Sequence, residues 1–157
     1  EINFNKIAVH NLHIKEMETG IETSKLNMYF GGGLRSFYWN CSKINPKVLV
    51  KVNRLGGCNS HPHNYYLEIS ANLGIAGLIF TSVIFLGVAI RSLKFFLLKN
   101  QEIDSKNLLI PFFLIFIAEV FPIKSTGSFF TSGNSIFIFF IIAFIISLSD
   151  YNKLLKK

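Results

Sequence analysis

The sequence predicts an all-α membrane protein, and three observations lead there. Half of the 157 residues are hydrophobic, with seventeen Phe in the chain, yet the first 60 or so are polar. Long apolar runs follow over 73–90, 108–123 and 136–148. The short connection between the first two runs and the tail after the third are rich in Lys and Arg. This asymmetry argues for a polar segment followed by spans, rather than for one water-soluble core. The predicted division is a loop segment over 1–66 and a transmembrane region over 67–157, with three spans at about 67–90, 108–123 and 136–148. No cleavable signal peptide is visible. The chain reads as the C-terminal part of a longer, multi-pass protein.

Each element has its own warrant. Over 12–28, Ile14, Met17, Ile21 and Met28 fall on one face of a helix, while Lys15, Glu16, Glu18, Glu22 and Lys25 fill the other. Such a helix lies on a membrane surface or packs on its own domain. Gly31-Gly32-Gly33 ends it; glycine tolerates positive φ and lets backbone approach a ligand closely. From Arg35 to Ser60 the mix of Pro46, Gly56, Gly57, Asn and Lys reads as irregular loop.

The next helix is expected to start near Ser60, with Ser60 as N-cap and Pro62 in the first turn. Tyr65 and Tyr66 would then stand in an interfacial aromatic belt. Residues 73–90 carry no charge, and with the turns before them they span a bilayer. Gly74 and Gly77 are small enough to admit another helix. Arg91, Lys94, Lys99 and Lys106 follow the first run, and Lys153, Lys156 and Lys157 end the chain. With three spans these two basic regions share a side, which the positive-inside rule makes cytoplasmic. The segment 1–66 and the polar break 122–135 then share the outer face. Cys41 and Cys58, the two cysteines, lie in that outer segment and would pair in an oxidising compartment.

The organising stretch is His61-Pro62-His63-Asn64-Tyr65-Tyr66-Leu67-Glu68, where a polar, basic segment meets the first apolar run. His63-Asn64 followed, after nine residues, by Gly74-Ile75-Ala76-Gly77 resembles the signature of the O-antigen ligase and polymerase superfamily. Phe30-Gly31-Gly32-Gly33-Leu34-Arg35-Ser36-Phe37 resembles the Gly-rich, Arg-bearing stretch upstream of it. Gly127-Ser128-Phe129-Phe130-Thr131-Ser132-Gly133-Asn134 resembles a polar loop further on. The likeness covers most of the chain, in order.

That resemblance implies a GT-C-like polytopic architecture in a bacterial inner membrane, with the active site on the periplasmic face. It implies metal-independent glycosyl transfer without a cofactor, from an undecaprenyl-pyrophosphate-linked glycan to an acceptor hydroxyl. A ligase delivers the glycan to lipid A-core; a polymerase delivers it to another lipid-linked repeat. The spacing leans towards ligase.

The residues fit this chemistry. His63 can take a proton from an attacking sugar hydroxyl, and the resemblance assigns its motif histidine that role. Arg35 can grip phosphate with a planar fork, and the resemblance makes the ligand a pyrophosphate. Arg54 is a second candidate. Asn64 and Glu68, four apart on a helix, would support His63. Glu119 is a carboxylate inside an apolar run, where charge usually faces a cavity or a partner, Lys124 being a candidate. Each has a plainer alternative: a capping histidine, a solvated loop cation, an interfacial carboxylate. Cys58, His61 and His63 have no obvious fourth ligand for a zinc site. The net charge of +7 is spread over loops beside apolar runs, which suits membrane lipid and phosphate on a lipid carrier better than nucleic acid. The alternative from another class is a transporter or a polysaccharide-export partner; a transporter would break its helices and place polar groups at the membrane midplane.

Overall fold

A computed structural model describes residues 16–41, 43, 44, 60–97 and 103–154. Those residues form helices and connections and no strand. The helices are α1 over 16–26, α2 at Ser36–Cys41, α3 at Tyr65–Leu97, α4 at Ile103–Val120 and α5 at Ser132–Leu154. Two of them, α3 and α5, are long and apolar enough to cross a membrane. The third expected span, α4, has 18 residues and carries Asp104, Lys106 and Glu119.

The chain divides into two compact units. One comprises residues 1–80 with 122–129, the other 81–121 with 130–157. In the second, Phe85, Phe95, Leu109, Phe116, Ile138 and Ile145 are buried. Phe85 meets Phe116 edge-on, and Phe112 stacks on Phe144. Arg91 pairs with Asp150, and its Nε donates to Ser149 Oγ at 2.7 Å.

The first unit departs from expectation in four places. Helix α3 starts at Tyr65, not near Ser60, and Asn64 is its cap: Asn64 Oδ1 accepts from Tyr66 N and Leu67 N at 3.0 and 3.2 Å. Tyr65 is not in an exposed belt. It is 2% exposed and packs edge-on against Phe129. The expected loop after Arg35 contains α2, whose Phe37 and Cys41 enter the core.

The fourth departure concerns α1. Its buried side is Glu16, Thr19, Gly20 and Thr23, spaced as one helical face, whereas Ile21 and Met28 are exposed. The period is the expected one, and the polar row is the one that packs on the protein, which speaks against the apolar row packing on its own domain and leaves that row outward. Small residues make the buried side possible. A Cβ on Gly20 would lie 2.8 Å from Pro62 Cβ, and Thr23 Oγ1 donates back to Thr19 O at 2.7 Å.

Inside α3 the backbone breaks at Gly74, where φ is 67°. The Gly-rich segment fills the break. Gly32 N and Gly33 N donate to the opened carbonyls of Ala71 and Asn72, at 2.9 and 3.0 Å. Met28 O and Tyr29 O accept from Ile75 N and Ala76 N on the far side, at 2.8 and 3.2 Å. Both Gly31 and Gly74 have positive φ, and a Cβ on either would lie 2.3–2.4 Å from the other segment's backbone. The close approach that glycine allows at this run is therefore to α3.

Candidate functional site

Three segments of the first unit meet here: 61–68, the 122–129 connection and α1. Backbone bonding fixes the first contact, because Thr126 N donates to His63 O at 2.9 Å. Asn64 Nδ2 donates to Pro122 O at 2.7 Å. Glu68 then clamps the far end of the same connection. Ser128 Oγ donates to its Oε1 at 2.5 Å, and Phe129 N donates to its Oε2 at 2.6 Å. Asn64 and Glu68 thus hold the 122–129 connection against the start of α3. They support His63 by bracing the backbone around it.

The third segment is α1. Glu16, fully buried, brings Oε2 to 3.4 Å from His63 Nε2. Gly20, one turn on, sets α1 against Pro62, and this close packing brings the carboxylate within reach. A buried carboxylate beside an imidazole can orient the ring. Sequence reasoning placed Glu16 on the exposed face. The missed signal was the small-residue row Thr19, Gly20 and Thr23, which marks a close-packed side.

His61 lies beside His63, with ring centroids 4.3 Å apart. Its Nδ1 is 2.9 Å from Ser60 Oγ. Burial lowers the His61 pKa below its usual value and the neighbouring His63 lowers it further, while the Thr126 backbone works against both. His61 Nε2 and Thr126 Oγ1 are buried and make no well-formed hydrogen bond among the described residues. The site therefore holds two imidazoles, a buried carboxylate and polar atoms with bonding capacity in reserve, an arrangement able to bind a hydroxyl and take its proton.

Arg35 sits elsewhere on the same unit. Its neighbour Ser36 donates its N–H to Asn72 Oδ1 at 3.0 Å, roughly 10 Å along α3 from Tyr65 at the usual helical rise. The Arg35 side chain is exposed. Among the described residues, Arg35 and His63 are the non-glycine residues with positive φ, at 61° and 51°. Such strain costs about 1–3 kcal/mol and collects at functional positions.

The remaining candidates stand apart or out of view. Glu119, half-buried near the end of α4, belongs to the second unit. Cys41 is fully buried and disulfide-bonded, and Cys58 lies outside the described residues. Arg54 does too. Comparison with protein-family models, curated proteins and solved structures finds no match to this chain.

Proposed function

We propose that this chain belongs to a membrane glycosyltransferase of the O-antigen ligase and polymerase superfamily. It would transfer an undecaprenyl-pyrophosphate-linked glycan to an acceptor hydroxyl at the periplasmic face of a bacterial inner membrane. The observation that carries this reading is the pairing of His63 with the buried Glu16, at the start of a helix long and apolar enough to cross a membrane. A base poised at a lipid boundary is what an acceptor hydroxyl needs when the donor stays in the bilayer. In this mechanism His63 takes the proton as the hydroxyl attacks the anomeric carbon. Glu16 positions the ring. Arg35, with Arg54 as a second candidate for the same role, neutralises the departing pyrophosphate. Ligation to lipid A-core is the first reading and polymerisation of lipid-linked repeats the second.

Substitution separates the roles. In a strain lacking the gene, His63→Ala should lower transfer about 100- to 10,000-fold, the usual worth of general-base assistance. Carrier-lipid binding should persist. Glu16→Gln should lower transfer less than His63→Ala. Arg35→Ala should weaken binding and transfer together, with Arg35→Lys a partial rescue because Lys lacks the fork. The readout is a gel of surface polysaccharide, with expression checked by blot. Unligated O-antigen in the deletion strain points to a ligase, and single-repeat core to a polymerase. Wild-type polysaccharide from His63→Ala overturns the mechanism.

The break in α3 gives the transporter reading its one specific support, since interrupted helices line transport sites. Those helices bind cargo with the backbone groups the break opens. Here Ala71 O, Asn72 O, Ile75 N and Ala76 N are all taken by residues 28–33. The break works as a joint within the protein.

A further inference from the structure

Beyond the candidate site, the segment from α1 to α2 presents an aromatic surface. Tyr29, Phe30, Leu34, Tyr38 and Trp39 are exposed, Phe30 by 84% and Trp39 by 64%. So dense an exposed apolar patch marks an interaction surface. Its occupant is set by where the backbone holds it. The bonds from Ile75 N to Met28 O and from Ala76 N to Tyr29 O lay the loop against α3, about 15 Å along the helix from Tyr65 at the usual rise. At that level α3 exposes Leu73, Ile75, Ile79 and Phe80, the opening residues of its apolar run. The medium around those side chains is also the medium around Tyr29 and Phe30.

The loop is built for a dry environment. Irregular backbone next to lipid must satisfy its own polar groups. Gly31 N donates to Asn27 O at 2.8 Å, and Gly32 N and Gly33 N are spent on α3. Arg35 and Lys43 are exposed in the same segment, cations suited to headgroup phosphates. Tyr and Trp with polar tips suit the headgroup level over the acyl core. We propose that the surface formed by α1, the Gly-rich loop and α2 faces lipid, embedded at the boundary between headgroups and acyl chains. The occupant is bilayer phospholipid. The proposal holds whether or not the chain transfers sugars.

Trp39 supplies the probe, being the single tryptophan of the 157 residues. The protein is reconstituted into phospholipid vesicles, and emission is taken as the difference between wild type and Trp39→Phe. Lipids brominated near the carbonyl end of the acyl chain should quench this emission more than lipids brominated near the methyl end. Aqueous acrylamide should quench it several-fold less than free tryptophan. Quenching by acrylamide at the free-tryptophan rate, with no effect of brominated lipid, would place the surface in water and overturn the proposal. Resistance to both quenchers would mean that protein covers Trp39, and would overturn it equally.

Discussion

His61 and His63, two residues apart, answer to different surroundings. His63 pairs with a buried carboxylate, whereas burial and the neighbouring imidazole push the His61 pKa down. The sign of the resulting pH effect follows directly. A base with a lowered folded pKa binds fewer protons folded than unfolded, so its contribution to stability falls as pH drops below the usual 6.5. Between about pH 7 and about pH 5.5, wild-type protein in detergent should lose more thermal stability than His61→Asn, which cannot titrate. Melting curves at the two pH values check this; equal losses would show that the fold does not lower the His61 pKa. At this scale the sequence was partly legible. His63, Asn64 and Glu68 stand out by residue type and spacing, and the structure gathers them with Glu16 and Ser128. Glu16 was illegible because hydrophobic periodicity reports that a helix has two faces without saying which faces inward. The small row goes in because Pro62 and Leu67 close on Gly20, while Glu16 meets His63.

At the scale of elements, the informative feature is the joint between the Gly-rich segment and the break in α3. Its glycines do different jobs. Gly31 and Gly74 must lack a Cβ because backbone occupies the space; Gly33 has positive φ with nothing within 4 Å. Gly33→Ala should therefore cost about 1 kcal/mol, the strain of left-handed backbone alone. Gly31→Ala and Gly74→Ala add an overlap that backbone cannot easily relieve, and should each cost about 2–4 kcal/mol. Melting temperatures of the three variants in one detergent test the ordering, which fails if Gly33→Ala is as damaging as Gly31→Ala. The sequence showed that both glycine clusters need close approach. It could not show that they approach each other, because two segments some 40 residues apart leave no mark of their pairing in local pattern. Likewise α2 is only six residues long, too short for a period to emerge among turn-forming residues.

For the whole molecule, the all-helical class was legible from hydropathy alone, and the number of crossings turns on α4. Its 18 residues include three charged ones. Reporter fusions should find Lys99 and Lys157 on the cytoplasmic side, with Cys58 and Gly127 on the other. Lys99 and Gly127 on one side would exclude α4 as a span. The joint at Gly74 also bears on how the chain assembles. Residues 28–33 are synthesised well before 71–76, so the plug exists before its socket. Until the two meet, the opened groups of α3 can be satisfied only by an unbroken helical turn through Gly74, especially in lipid. If α3 first forms as a continuous rod, the native break is made when 28–33 docks and exchanges two intrahelical bonds, Ile75 N to Ala71 O and Ala76 N to Asn72 O, for four between segments. On this route the joint forms after α3, and a chain in which 28–33 is kept from docking would carry a straight α3.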